Sequence, residues 1–276
     1  MIGYIIQAMR YTHADPRQDD PASVMALKDK NKGGTALIVL GGYSAVRWEE
    51  LYAEIKPDVL LCANGANSLV YGSDYWMIAE NMARSNSLAQ KGDPAARRFM
   101  EMFHREAGAK TKLVSHRSWN LLQDARNCIR IRRCGFEEHE IEENFSFREY
   151  DLGYLAGWVI RRKEAGVDIH VGTVGAQLIH HAGILGCAKV HTIGFDLMFR
   201  DDTKHHAYDY PPYKEDVFRT EKFRLDYKGA PTQWAWVETA QWLKSIEYLF
   251  KRDGLGWVDH SDGLLKIEGL ECANAK

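Results

Sequence analysis

No stretch of this chain runs for eighteen consecutive apolar residues, so no transmembrane helix is expected. The N-terminal MIGYIIQAMRYTHADPRQDD has a short apolar start but no basic residues ahead of it and no small-residue cleavage site. It does not read as a secretory signal, and a reducing cytoplasm is the expected setting. Cysteine is sparse. The five residues (Cys62, Cys128, Cys134, Cys187, Cys272) are odd in number, scattered, and form no CxxC pair. That argues against a disulfide framework and against a cysteine-rich zinc site. Cys62 and Cys187 lie inside apolar runs and read as small core residues. Charge of one sign is also lacking. A net charge of −2 gives no electrostatic case for binding nucleic acid or a membrane surface. There is no internal repeat, no GxGxxG fingerprint and no GKS or GKT of a Walker loop.

What is present is alternation. The chain has 276 residues, 45% hydrophobic and 27% charged, which is ordinary for a globular protein. A first short strand is expected near Tyr4 to Gln7, then a helix from Pro21 to Leu27. TALIVL (Thr35 to Leu40) is a continuous apolar, β-branched run closed by Gly41-Gly42, the pattern of a strand buried on both faces. Ser44 follows as an N-cap for a helix carrying Val46, Trp48, Leu51, Tyr52 and Ile55, stopped by Pro57. DVLLCA (Asp58 to Ala63) is a second buried strand, so the first 70 residues hold a β-α-β unit.

Residues 72 to 110 are polar and helix-prone, and Lys112 to Ser115 reads as a strand. A helix is expected over 153–165, then a strand through Val167, Ile169 and Val171. The next helix carries His180 and His181, about 100° apart on its surface, which predicts one core and one surface histidine. A strand from Val190 to Phe195 follows. Residues 200–232 read as a lid or binding loop. An amphipathic helix starts near Thr232 and ends at Arg252-Asp253-Gly254. The segment VDHSDGLLKIEG reads as a hairpin or edge strand. The expected architecture is one α/β domain over 1–276, Rossmann-like and doubly wound on a mostly parallel sheet.

Four places along the chain suit chemistry at the carboxyl edge of such a sheet. Gly41, Gly42 and Ser44 let backbone approach a phosphate or sugar closely. Asn64 and Asn67 follow the second strand and offer both donors and acceptors to a nucleobase or ribose. Gly172 and Thr173 open a helix whose first turn carries no acid, leaving its N–H groups for an anion. Asp196 ends a strand and precedes Asp201, Asp202, His205 and His206, a group suited to a divalent metal or a general base.

Four separated blocks follow one another along the chain: LIVLGGYSAVRW, DVLLCANGANSL, GTVGAQLIHHAGILGCAKVHTIGFDLMF and VDHSDGLLKIEG. Together they resemble the 6-hydroxymethylpterin diphosphokinase-like family, whose fold is shared with metal-independent bacterial sialyltransferases and motility-accessory glycosyltransferases. Here Gly42-Tyr43-Ser44 stands where the family has Gly-Pro-Ser, and Glu80 where it usually has Asp. The resemblance implies a nucleotide-dependent transferase with Gly41, Gly42, Ser44, Asn64, Gly172, Thr173 and Asp196 around the nucleotide. It implies a nucleotide or nucleotide-sugar donor, CMP-type favoured, and a small-molecule or glycan acceptor. His205 or His206 stands where the base is expected, with Tyr208, Tyr210 or Tyr213 against the phosphate. The alternative is ATP-dependent diphosphate transfer to a pterin-like alcohol, with Mg²⁺ on Asp196, Asp201 and Asp202. A non-catalytic nucleotide- or glycan-binding module is the third reading. A homo-oligomer is compatible with each.

Overall fold

A computed structural model describes residues 26–70, 72–78, 82–107, 112–115, 128–130, 132–134, 154–156, 162–164, 167–169, 173–200, 207 and 224–274. In chain order the elements are β1 (Thr35–Val39), α1 (Trp48–Ile55), β2 (Val59–Ala63), β3 (Tyr75–Ile78), α2 (Met82–Gln90), α3 (Pro94–Ala107), β4 (Lys112–Ser115) and β5 (Cys128–Arg130). Four short strands follow: β6 (Arg132–Cys134), β7 (Tyr154–Ala156), β8 (Arg162–Glu164) and β9 (Val167–Ile169). Then come α4 (Val174–Ile184), β10 (Lys189–Ile193), β11 (Arg224–Tyr227), β12 (Ala230–Gln233), α5 (Trp234–Ser245), α6 (Glu247–Arg252), β13 (Gly256–Asp259), α7 (Leu264–Ile267) and α8 (Glu271–Asn274).

Seven strands form one sheet in the order β13-β10-β1-β2-β3-β4-β5, and every neighbouring pair is parallel. The fold is therefore α/β. From β1 the chain steps outward in one direction to β5. The later strands β10 and β13 add on the other side of β1. Strand order thus reverses between β1 and β10, and in open α/β sheets the carboxyl edge at such a point is where a ligand crevice is expected.

The apolar runs seen in sequence explain the burial. Ala36 to Val39 are fully buried, and so is the β2 core. Period-2 alternation splits them between two layers. Ala36, Ile38 and Leu61 join α4, α5 and α6 on one face; Leu37, Val39 and Cys62 join Leu51 of α1 and Phe99 and Phe103 of α3 on the other. Cys62 and Cys187 are both buried, as their apolar surroundings predict. Among the described residues no helix is long and apolar enough to cross a membrane.

Several elements differ from the sequence reading. The expected helix over 153–165 is replaced by β7 and β8, which pair with β6 and β9 respectively. Gly153, Gly157 and Gly166 bracket these short strands, and glycine weakens a helix interior. The fully buried YWMI of β3 lies in a stretch that reads as polar and helix-prone. The end of the expected 200–232 loop is the antiparallel hairpin β11–β12. Its turn, Lys228-Gly229, has positive φ at both positions, as a two-residue hairpin turn requires. Of the segment VDHSDGLLKIEG, expected as a hairpin or edge strand, only Val258 and Asp259 belong to the edge strand β13, which pairs in parallel with β10, and Leu264–Ile267 is the helix α7. His180 and His181 are both buried. Helix α4 is covered all round from Gly175 to Ile184, so no face is left for a surface histidine. The expected strand near Tyr4 and the helix from Pro21 lie outside the described residues, apart from Ala26 and Leu27, which sit in a turn, Leu27 buried.

Candidate functional site

The candidate site lies where the loops leaving β1 and β10 cross. Gly42 N–H donates to the Gly194 carbonyl at 2.8 Å. A β-carbon on Gly42 would stand 2.5 Å from Asp196 Oδ2 and 2.5 Å from the Gly194 oxygen, so only glycine fits. Gly194 itself has φ +79°, and a β-carbon there would meet the Leu40 carbonyl. The two glycines let two backbones pass at contact distance.

Ser44 locks that crossing. Its N–H donates to Asp196 Oδ2 at 2.9 Å, and its hydroxyl donates to Asp196 Oδ1 at 2.5 Å. The same hydroxyl oxygen accepts from Gly194 N–H at 3.0 Å. Burial pushes the Asp196 carboxyl upward in pKa; the hydrogen bonds from Ser44 and from the Asp262 N–H pull it back only in part. Ser44 is therefore a lock between loops, where the sequence reading made it an N-cap; its turn (Tyr43–Arg47) is 3-10 and α1 starts after it.

Asp259, the last residue of β13, and residues 260–264 after it strap over the same edge. Asp259 Oδ1 accepts from Thr192 Oγ1 at 2.6 Å and from Ser261 Oγ at 2.9 Å. Ser261 Oγ in turn accepts from Phe195 N–H at 2.8 Å. The Leu264 N–H donates to the Asp196 carbonyl at 2.9 Å, and Gly263 lies so close to Asp196 that a side chain has no room. Arg47 reaches across to the His260 carbonyl and to Asp262. Asp259 is buried, and its Oδ2 has no hydrogen-bond partner among the described residues. Burial raises its pKa to about 7, against the pull of Thr192 and Ser261 and with the help of the Asp196 charge.

On the α1 side of the strap, His191 Nδ1 and His260 Nε2 share a hydrogen bond at 2.8 Å. Burial and the facing His260 lower His191 to about 4. Burial also lowers His260, opposed by Glu54 and aided by Arg47, Lys189 and Lys266. One ring must be neutral to accept the other's proton, so the pair suits a neutral state.

The third component is the first turn of α4. Thr173 caps it, its Oγ1 accepting from Ala176 N–H at 3.4 Å, and no acid lies in the turn. A β-carbon on Gly175 would stand 2.7 Å from Leu40 Cδ1 and 2.8 Å from Phe195 Cε2. The positive end of this helix thus rests directly on the exits of β1 and β10. The structure brings Gly41, Gly42, Ser44, Thr173 and Asp196 to one edge.

Asn64 and Asn67 stand at the end of neighbouring β2. Asn64 has φ +44° and its carbonyl accepts from Trp76 Nε1. Asn67 is buried. Its Oδ1 accepts from Cys62 Sγ at 3.1 Å and Ser73 Oγ at 3.3 Å, and its Nδ2 has no partner among the described residues. Gly172, Asp201, Asp202, His205, His206, Tyr208, Tyr210 and Tyr213 lie outside the described residues. Among the described residues no group of three or more His, Cys, Asp or Glu could hold a metal ion. Each Asp196 oxygen accepts one hydrogen bond from Ser44, and a carboxylate oxygen has a second lone pair beyond it.

Two features are absent from the sequence reading. One is the Asp259–Ser261–Thr192 network, signalled only by the acid and hydroxyl of VDHSDG. The other is Arg200, whose guanidinium carbon lies 3.6 Å from the centre of the Tyr43 ring. No family model matches the chain, and no curated protein or solved structure matches it.

Proposed function

We propose that this protein is a nucleotide-dependent transferase, glycosyltransferase-like, with a nucleotide-activated sugar as donor. One observation carries the reading: strand order reverses between β1 and β10, and at that point a glycine crossing and an acid-free helix start meet at the same sheet edge. Such an edge suits a nucleotide phosphate on backbone N–H groups. The sequence resemblance favours a CMP-type donor and an acceptor hydroxyl deprotonated by His205 or His206. Leaving-group charge then develops next to the positive end of α4, where fixed dipoles stabilise it.

The test is a thermal-shift screen with CMP, UDP, GDP and ATP, with and without Mg²⁺. A ligand at 100 times its Kd raises native stability by about 2.7 kcal/mol. A metal-independent shift with CMP or UDP supports the reading, to be followed by transfer assays on His205→Ala and His206→Ala. A shift confined to ATP with Mg²⁺, abolished by chelator, supports diphosphate transfer instead. Binding without turnover of any donor supports a binding module. No shift with any nucleotide overturns the proposal.

A further inference from the structure

We propose that Arg200, stacked on Tyr43, is a clamp for the phosphate group of the ligand at this edge. The inference rests on the nucleotide reading above and names the residue that neutralises the phosphate. Tyr43 leaves β1 and Arg200 leaves β10, so the pair bridges the point where strand order reverses.

Both partners stand on anchored backbone. Tyr43 is held between Gly42, bonded to Gly194, and Ser44, bonded to Asp196. Arg200 follows Phe199, which is buried, whose N–H donates to the Pro231 carbonyl at 2.8 Å and whose ring packs on Trp236 at 4.8 Å.

Among the described residues no ion pair engages the charge of Arg200, which is exposed. By contrast, Arg47 pairs with Asp262, Lys228 with Glu268, Lys251 with Glu271 and Arg252 with Asp253. Stacking engages the flat face of a guanidinium and leaves its in-plane N–H donors open. Those donors form a fork that matches phosphate oxygens. Holding the side chain against a ring also reduces the freedom it loses on binding. A lysine here would lack both the fork and the stack.

The experiment is calorimetric titration of wild type, Arg200→Ala, Arg200→Lys and Tyr43→Ala with inorganic pyrophosphate, CMP, UDP, cytidine and uridine. Wild type is expected to bind the phosphate-bearing probes more tightly than the nucleosides. Arg200→Ala is expected to weaken the phosphate-bearing probes about tenfold or more, with Arg200→Lys and Tyr43→Ala in between. Nucleoside affinities and the unfolding midpoint should not move with Arg200→Ala, since Arg200 is exposed. Unchanged affinity for CMP, UDP and pyrophosphate in Arg200→Ala overturns the clamp and leaves the nucleotide reading standing. Equal wild-type affinity for nucleoside and nucleotide also overturns the clamp. Wild type that binds none of the probes overturns both.

Discussion

Asparagine in place of Asp259 should make the protein more stable in mild alkali and less stable in acid. An unfolded aspartate releases its proton near pH 4. The folded Asp259 holds its proton to about 7. Between those values the native state carries a proton that the unfolded chain has lost, so this residue's contribution falls as pH rises. The slope is about 1.4 kcal/mol per pH unit, which accumulates to roughly 4 kcal/mol across the window. Above about pH 7 both states are ionised and the contribution levels off. Asparagine removes the titration. Its amide oxygen keeps the acceptor role toward Thr192 and Ser261. Its NH₂ falls where Oδ2 has no partner, which costs about 1–3 kcal/mol. The difference leaves Asp259→Asn about 1–3 kcal/mol more stable than wild type at pH 8 and less stable by a similar amount at pH 4. The assay is urea unfolding of both proteins from pH 4 to pH 8, read as a difference curve. Subtraction removes His181 and His191, which titrate in both proteins. A flat difference curve refutes the assignment of the titration to Asp259.

Other perturbations have equally definite outcomes. Ser44→Ala leaves the buried Asp196 carboxylate and the Gly194 N–H each short of a partner and should cost about 1–3 kcal/mol by denaturant unfolding. Gly42→Ala drives a methyl into Asp196 and the Gly194 carbonyl, so it should destabilise by about 1–3 kcal/mol and weaken any nucleotide-induced thermal shift. His181 is fully buried, with neither ring nitrogen partnered among the described residues, and burial and neighbouring His180 lower its pKa to about 3. An unfolded histidine protonates near 6.5, so this residue's contribution is full above that value and is lost as pH falls toward 3. His181→Phe keeps an aromatic ring against Tyr75 and should flatten the acid limb of the stability curve between pH 6 and pH 4. An unchanged acid limb in that variant would mean that His181 is not the group responsible.

The central strands were legible because burial on both faces leaves a local record. TALIV and VLLCA are continuous apolar runs, and the structure buries both. Strand β3 left a weaker record: four residues between Ser73-Asp74 and a polar stretch are too short to show a period. The glycine turn, Thr173 and Asp196 could be read as edge residues because each sits just after a strand or before a helix. Their partners could not be read. Thr192 meets Asp259 only because β10 and β13 are neighbours, a fact of strand order that no local pattern encodes. Arg200 meets Tyr43 for the same reason.

The lock between Ser44 and Asp196 joins residues 152 positions apart. That separation has a kinetic meaning. Until β10 arrives, β1 has a neighbour on one side alone, and its other edge offers unpaired N–H and C=O groups on a hydrophobic strand. A chain halted after β5 therefore presents its stickiest strand to other chains. Contacts this distant in sequence also form slowly. The candidate site is thus among the last parts of the molecule to acquire shape, and the same pairing that completes it ends the exposure of β1.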